Sequence, residues 1–459
     1  SPKRRAADNI AAIETLLLVE ADGRLPTDDE RRLLAAYSGF GGVPQVFEPW
    51  RAAEQGWQPY ADALQALLDP DEYAALRESV KNAHYTDGRV AAAMWDALAA
   101  AGVTASPDHP VRVLEPGCGP GWFIGLMPEA LRDAAVTGIE LDSVSGRIAR
   151  LLYPGADIRL ENFARTAIPD DWFDLAIGNV PFGKYHLFDA RYADLKPTVH
   201  NHFLLKSVDL LRPGGVAALI TSTFTLDAAD TGVREALRDK AELVTAVRLP
   251  ANWAGQSAGT EVAADLLVLR KRAEPLSSLR AAERDAVIAA EPDWIAAQSV
   301  RDPLGGPEMK VNRWFADHPD RVIGRLERSG TNHAGEHPDV TARLPRLKPS
   351  NVPERAAAEL RDRLAALPTD LWKPVERSPV QAVETAPATV REGSYLLDST
   401  GALRVVVDGA LAVPATGDRP FTAAEERLVR DGLAVRDALR RVFAAQREGR
   451  PQGERDAGR

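Results

Sequence analysis

The stretch Val111-Arg-Val-Leu-Glu115-Pro-Gly-Cys-Gly-Pro-Gly121 decides the fold. An apolar run ends in an acid and a proline, glycines follow at every second position, and a helical pattern opens at Trp122. Glycines at 117, 119 and 121 let the backbone turn sharply and approach a ligand closely, with helix-terminal N–H groups facing it. The spacing is not the G-x-G-x-x-G of dinucleotide sites, and no Lys-Ser/Thr follows as in a phosphate-binding P-loop. Around this turn, short β-rich runs alternate with amphipathic helices. The runs are Val111–Leu114, Val136–Leu141, Asp157–Leu160, Asp174–Gly178, Val216–Thr221, Leu243–Leu249 and Asp265–Leu269, with helical patterns near 122–134, 144–152, 201–212 and 232–241. Strand–helix alternation predicts an α/β fold: a seven-stranded, mostly parallel Rossmann-like sheet with helices on both faces. The last two runs have no helix between them, which predicts an antiparallel pair at one edge.

The 459 residues are too many for one ordinary domain. With 45% hydrophobic and 27% charged residues the composition is that of a globular chain. No apolar run reaches the about 18 residues of a membrane span, so no membrane partner is expected. The start, Ser1-Pro-Lys-Arg-Arg, leads into an Ala-rich helical pattern and not a signal-peptide core. A single cysteine, Cys118, leaves no internal disulfide and no cysteine-built zinc site, and fits a cytoplasmic protein. The net charge of −10 argues against a surface that clings everywhere to nucleic acid, though not against a local basic groove. Of the 56 Lys+Arg and 66 Asp+Glu, residues 273–459 carry 28 and 29, so the acidic excess belongs to the first three-fifths.

The chain divides into a helical region 1–82, an α/β core 83–272, a helical and loop region 273–390 expected to contact DNA or a partner, a small β-meander with a long helix over 391–446, and a polar tail 447–459 that reads as disordered. Within the first region, 4–36 and 60–82 read as helical, and Val90–Ala101 forms another helix. Beyond the core, 276–330 reads as mainly helical and 341–390 as Pro-punctuated loop.

Two further features carry chemistry. Glu140 closes the second strand, 25 positions after Glu115, where a carboxylate can accept bidentate hydrogen bonds from ribose hydroxyls. A strand–helix glycine turn also occurs as plain turn chemistry, but the acid on the next strand argues for a ligand. The fourth strand ends in Asn179-Val-Pro-Phe182. In open α/β sheets the carboxyl ends of the strands carry the ligand site, so this loop should face the glycine turn. The exocyclic amine of an aromatic base is a poor nucleophile, because its lone pair is delocalised into the ring. The Asn179 amide oxygen and the Val180 carbonyl can accept its two N–H bonds, and Phe182 offers a stacking face. No metal is needed.

In this order the motifs resemble class I S-adenosylmethionine-dependent methyltransferases, more narrowly the γ-type N6-adenine DNA methyltransferases. The resemblance implies that Glu115, Gly117, Gly119, Gly121 and Glu140 bind the cofactor, with Tyr85 and Thr86 from an upstream Tyr-Thr element and Asn162-Phe163 beside its adenine ring. It assigns catalysis to Asn179, Val180, Pro181 and Phe182. Val180 replaces the usual first proline, and Asn162 stands where an Asp is common. Tyr37-Ser-Gly-Phe-Gly-Gly-Val-Pro44, Gly259-Thr-Glu-Val262, Trp314-Phe-Ala-Asp-His-Pro319 and Gly393-Ser-Tyr395 extend the likeness to the methylase module of large phage and plasmid methylase–helicase proteins. That implies double-stranded DNA as substrate, S-adenosylmethionine as cofactor, and a helicase-type partner or fused helicase domain in a defence, restriction–modification or anti-restriction setting.

Lys184, Tyr185, Arg191 and Lys196 lie in the segment 183–197, where cations interleave with aromatics. The pattern suits a flipped base and its flanking phosphates, and equally a plain surface loop. The basic stretch 321–348 suits DNA backbone or a solvated helix face. His200 and His202 do not share a helix face and predict no metal pair. Trp50, Trp57 and Trp95 read as core. Two other readings of the chain stand beside DNA methylation. One is a protein-glutamine or RNA-guanine methyltransferase; the other is a non-catalytic cofactor-sensing or DNA-docking subunit.

Overall fold

The computed structural model describes residues 1–48, 56–80, 86–107, 109–255, 262–306, 308–328 and 340–375, and within the last part 384–385, 390–391, 393–398, 401–407, 410–416 and 419–447. Seven strands form one sheet: β1 (Arg112–Pro116), β2 (Ala135–Glu140), β3 (Asp157–Leu160), β4 (Phe173–Asn179), β5 (Leu211–Ser222), β6 (Ala241–Leu249) and β7 (Ala264–Lys271), in the order β3-β2-β1-β4-β5-β7-β6. The first five are mutually parallel. β7 enters between β5 and β6 and runs antiparallel to both, so the expected antiparallel edge pair is joined to the sheet through its later strand. β1 is buried along its whole length, and β4 along all but its last residue, as strands covered on both faces must be.

Helices cover the sheet. On the N-terminal side are α1 (Pro2–Ala21), α2 (Asp28–Ala35), α3 (Gln58–Leu67), α4 (Pro70–Ser79) and α5 (Gly88–Ala100). The segment 60–82 is two helices and not one, because Asp69 caps the second by accepting from the Asp71 and Glu72 amides at 2.9 and 2.8 Å. The helix expected over 122–134 is only the single turn α6 (Trp122–Gly125) followed by a 3-10 turn, Glu129–Leu131, with Pro128 at the break. Next come α7 (Ser143–Leu152), α8 (Val199–Leu210), α9 (Phe224–Asp227) and α10 (Gly232–Lys240). Val144, Ile148 and Leu152 of α7 share a core with Ile10, Ile13 and Leu16 of α1 and with Tyr37 and Phe40. Helices α1–α4 therefore pack on α7, which covers the β2–β3 side of the sheet. Arg147 of α7 fastens them by ion pairs to Glu20 and Glu72.

Residues 276–330 are mixed and not mainly helical. They contain α11 (Ala281–Ala290), an antiparallel pair β8 (Ala297–Val300) and β9 (Met309–Asn312), α12 (Arg313–Asp317) and β10 (Arg325–Arg328), which pairs with β11 (Val340–Arg343). The described residues of the basic stretch thus include a β-pair. The stretch read as loop contains α13 (Val352–Leu364). Pro353, which reads as a breaker, stands in its first turn, where a missing N–H costs nothing. Ala356, Ala357, Leu360 and Leu364 are buried in the main core with Trp95 of α5. Residues 1–166 and 170–374 pack as one compact unit, so the divisions expected after 82 and 272 fall inside it.

The β6–β7 edge is held by a buried charge cluster. Arg248 on β6 faces Asp265 on β7, with Nε–Oδ1 and Nη2–Oδ2 both 2.8 Å, and its Nη1 lies 2.8 Å from Asp227 of α9. The guanidinium also stacks 4.4 Å from the Phe315 ring centroid.

The second unit comprises 167–169 and 375–459. It holds a four-stranded antiparallel sheet of β12 (Glu384–Thr385), β13 (Tyr395–Leu397), β14 (Leu403–Val407) and β15 (Ala410–Ala412), a small pair over 415–420, and α14 (Ala423–Arg447). The tail 448–459 lies outside the described residues, as does Trp50, whereas Trp57 and Trp95 are buried. No helix of the described residues is long and apolar enough to cross a membrane.

Candidate active site

The chain leaves β1 for β2 and β3 on one side, then returns to place β4 on the other side of β1. At such a switch point the loops after the two central strands diverge and leave a crevice at their carboxyl ends. Here those loops are the glycine turn after β1 and Asn179-Val180-Pro181 after β4. Both line one cavity of about 640 Å³, together with Glu140, Asn162 and Phe163. Such a volume suits a ligand of nucleoside size or somewhat larger.

Gly117, Gly119 and Gly121 have φ of +77°, +55° and +86°, a region that side-chain-bearing residues rarely adopt. A methyl group at Gly117 would stand 3.6 Å from Pro181 Cδ and 3.5 Å from the Phe203 ring, so the two loops nearly touch. Glu140 is anchored by backbone: Gly119 N donates to Oε2 at 2.7 Å, and Leu141 N and Asp142 N donate to Oε1 at 2.8 and 2.7 Å. Burial, with the Asp142 carboxylate alongside, pushes Glu140 up to about 7 against those three donors. Three of about four lone-pair sites are engaged, leaving room for one further donor where the sequence suggested two. Asp142 lines the cavity beside it. Its Oδ2 accepts from Ser145 N at 3.0 Å as the cap of α7, while the buried Oδ1 has no partner among the described residues. An orphaned buried carboxylate oxygen next to Glu140 suits a second ribose hydroxyl. Sequence reading missed Asp142; its signal was an acid two places after the strand-end acid, at a helix N-cap.

Glu115 does not line the cavity. It sits behind the glycine turn, accepts from the Phe123 and Ile124 amides, and is pushed well up by burial. Its Oε2 is likewise without a partner among the described residues. Gly121 also lies behind the lining, against the Tyr153 ring. Cys118 is buried, and burial pushes its thiol up, so it serves as a small residue.

After β3, Asn162 Oδ1 caps a 3-10 turn by accepting from Ala164 N at 2.9 Å. Phe163 lies with its ring centroid 4.8 Å from that of Phe203 on α8. The buried Lys206 ammonium donates to the Phe163 and Thr166 carbonyls at 2.6 and 3.1 Å, tying this turn to α8. His200 and His202 are buried on the same helix. Burial lowers His200 to about 4 and also lowers His202, whose Nε2 lies 2.9 Å from Asp189. Among the described residues no group of three or more His, Cys, Asp or Glu side chains is placed to hold a metal.

Val180 is buried and its N–H donates to Ile220 O at 3.0 Å, so pairing with β5 fixes the start of the loop. Phe182 is half-buried against the main core and is not in the lining; of the aromatics in the segment after Asn179, Tyr185 lines the cavity. Lys184 and Lys196 are exposed. Arg191 pairs with Asp170 at 2.7 Å. Thr86 is buried away from the lining, and Tyr85 lies outside the described residues, as do Gly259, Thr260 and Glu261. The other wall was not anticipated: Ala75, Glu78 and Ser79 at the end of α4 line the cavity, brought there by the packing of the N-terminal helices on α7.

No protein-family model matches the chain. It is 29% identical over 274 residues to the defense against restriction protein B of Escherichia phage P1, an alignment covering 58% of this chain and 10% of that protein. It is 28% identical over 182 residues to the type II methyltransferase M.XamI of Xanthomonas campestris pv. amaranthicola, covering 35% of this chain and 33% of the relative. The chain thus spans a third or less of either curated relative. Among solved structures, the type I restriction–modification methyltransferase subunit from Streptococcus thermophilus matches 63% of this chain and 86% of its own, at 14% identity and a TM-score of 0.37. The chain has a seven-stranded, mostly parallel α/β sheet in the order given above, and in sequence it is similar to a phage protein named for defence against restriction and to a type II methyltransferase.

Proposed function

We propose that the chain transfers the methyl group of S-adenosylmethionine to the exocyclic N6 amine of an adenine turned out of duplex DNA. The observation that carries this is the sharing of one cavity by the glycine turn, Glu140, Asn162-Phe163 and Asn179-Val180-Pro181. When bound, the cofactor supplies a sulfonium methyl group open to attack by a nitrogen lone pair. The glycine turn admits the donor close to the backbone, Glu140 and Asp142 accept from its ribose, and Phe163 with Phe203 walls its base. Asn179 Oδ1 and the Val180 carbonyl accept the two amine N–H bonds, which favours a tetrahedral nitrogen with its lone pair directed outward. Catalysis then rests on orientation, with neither a metal nor a covalent intermediate on the protein. Tyr185 takes the stacking role first given to Phe182. The relative named for defence against restriction favours a phage- or plasmid-type setting, in which the helicase-type partner belongs.

The test is transfer of labelled methyl from S-adenosylmethionine to duplex DNA, duplex RNA and protein. Label is expected as N6-methyladenine in DNA, falling by about a hundredfold or more in Asn179→Ala, the scale of losing one transition-state hydrogen-bond group. Label found only on RNA or protein overturns the reading.

A further inference from the structure

The segment after Asn179 carries an aromatic that the proposed chemistry does not use. Phe188 is 85% exposed, the most exposed large apolar residue among those described. A lone surface aromatic needs no explanation by itself, but this one is held in place on both sides. Leu187, immediately before it, lines the cavity. On that side Val199 N donates to Tyr185 O at 2.9 Å, and His186 Nδ1 lies 3.0 Å from Pro197 O. On the other side Asp189 accepts from Arg191 N at 3.0 Å and is locked to the buried His202 at 2.9 Å. Three residues further on, buried Tyr192 donates to Asp209 at 2.6 Å. Phe188 is thus an apolar ring displayed in water by a clamped turn at the cavity mouth.

Its surroundings indicate what it meets. Lys184 and Lys196 are exposed on the same segment. Lys184 Nζ lies 5.9 Å from the ring centroid of Phe224, itself 42% exposed. Cations interleaved with exposed aromatics match a phosphate backbone bearing stackable bases better than an apolar protein face. A base whose amine reaches Asn179 must leave the stack, and the space it vacates costs unstacking energy unless something flat and apolar enters it.

We propose that Phe188 is that group: a positioning residue that enters the duplex as the target adenine leaves, filling the gap and holding the base extrahelical. This rests on the proposed DNA reading. The test compares single-turnover methyl transfer by the full chain on a fully paired duplex and on one whose target adenine faces an abasic site, where no pairing opposes extrusion. Phe188→Ala is expected to slow transfer to the paired duplex by about tenfold, the scale of one lost base–aromatic stack, and to be restored on the abasic duplex. Phe188→Trp keeps the rate on both, and cofactor affinity is unchanged in either variant. Equal rates for wild type and Phe188→Ala on the paired duplex overturn the proposal. So does an equal loss on both duplexes, which would assign Phe188 to a protein contact or to the fold. If wild type labels RNA or protein but neither duplex, the function itself is wrong and the wedge goes with it.

Discussion

Glu140 offers the sharpest quantitative test of the cavity as a cofactor site. Burial raises it from 4.5 to about 7, with Asp142 adding to the rise and three backbone donors opposing it. A ribose hydroxyl donates to the carboxylate but gains far less from the neutral acid, so binding selects the charged form. At pH 8 about nine-tenths of the unliganded protein carries that form, and at pH 6 about one-tenth. The apparent Kd is the intrinsic value divided by the competent fraction, so it should rise about tenfold from pH 8 to pH 6. The sign is that of a group deprotonated on binding: affinity falls as pH falls through about 7, well above the range of an ordinary glutamate. The assay is titration calorimetry with S-adenosylmethionine at half-unit steps, run in parallel on Glu140→Gln. Taking the ratio of the two proteins' Kd values cancels any titration of the ligand itself. The variant should bind at pH 8 no better than wild type at pH 6, and the ratio should shrink toward one at low pH. A ratio that stays constant from pH 6 to pH 8 would refute both the raised carboxyl and its contact with the ligand.

Two further outcomes follow from the packing. Arg248→Leu removes the guanidinium that pairs with the buried Asp265 and the largely buried Asp227, and should cost about 3–5 kcal/mol in urea unfolding. Asp265 already stands at about 6, because burial outweighs the Arg248 guanidinium. Without Arg248 it rises further, so the loss should be smaller at pH 5 than at pH 8, where the bare carboxylates must stay charged. Gly121→Ala drives a Cβ into the Tyr153 ring at a φ of +86°, so it should lower the melting temperature by several degrees, the scale of about 1–3 kcal/mol of strain. Scanning calorimetry checks it, and Tyr153→Ala in the same chain should recover the steric part but not the backbone part.

The sheet was legible because central parallel strands must be apolar on both faces, and short apolar runs broken by amphipathic helices leave few other readings. Its ligand ends were legible for the same reason, since β1 and β4 are each followed by residues that ordinary turns do not need: alternating glycines in one case, Asn-x-Pro-Phe in the other. What escaped was decided by packing between distant segments. The α4 wall contributes Ala75, Glu78 and Ser79, which have no local motif, and reaches the cavity only because α1 and α4 dock on α7. Asp142 was hidden by doing two things, capping α7 and facing the cavity. Helix α13 was read as loop because Pro353 punctuates it, although a proline in the first turn is compatible with the helix. Phe182 was given the stacking face on motif alone, while the loop turns its ring to the core and leaves Tyr185 in the lining.

The net charge of −10 argues against a nucleic-acid substrate only until the charges are located. Glu78, Glu140, Asp142 and Glu161 all line the cavity, and among the described residues no lysine or arginine does. A cavity of that sign favours a ligand with net positive charge, such as a sulfonium bearing an amine, over its neutral thioether product. Part of the acidity of the N-terminal three-fifths therefore faces inward, where it bears on donor binding and product release instead of on a DNA surface. Several arginines are likewise committed to carboxylates: Arg147 to Glu20 and Glu72, and, at the surface, Arg191 to Asp170 and Arg325 to Glu327. What the clamped segment offers to phosphate is mainly Lys184 and Lys196. Each phosphate contact adds about 0.9 to the slope of log K against log salt, so two such contacts give a weak grip that salt erodes only modestly. In the proposed reading such a unit modifies a base that is presented to it. Holding the duplex then falls to other surfaces, and that is the physical place for the helicase-type partner in the proposed assembly.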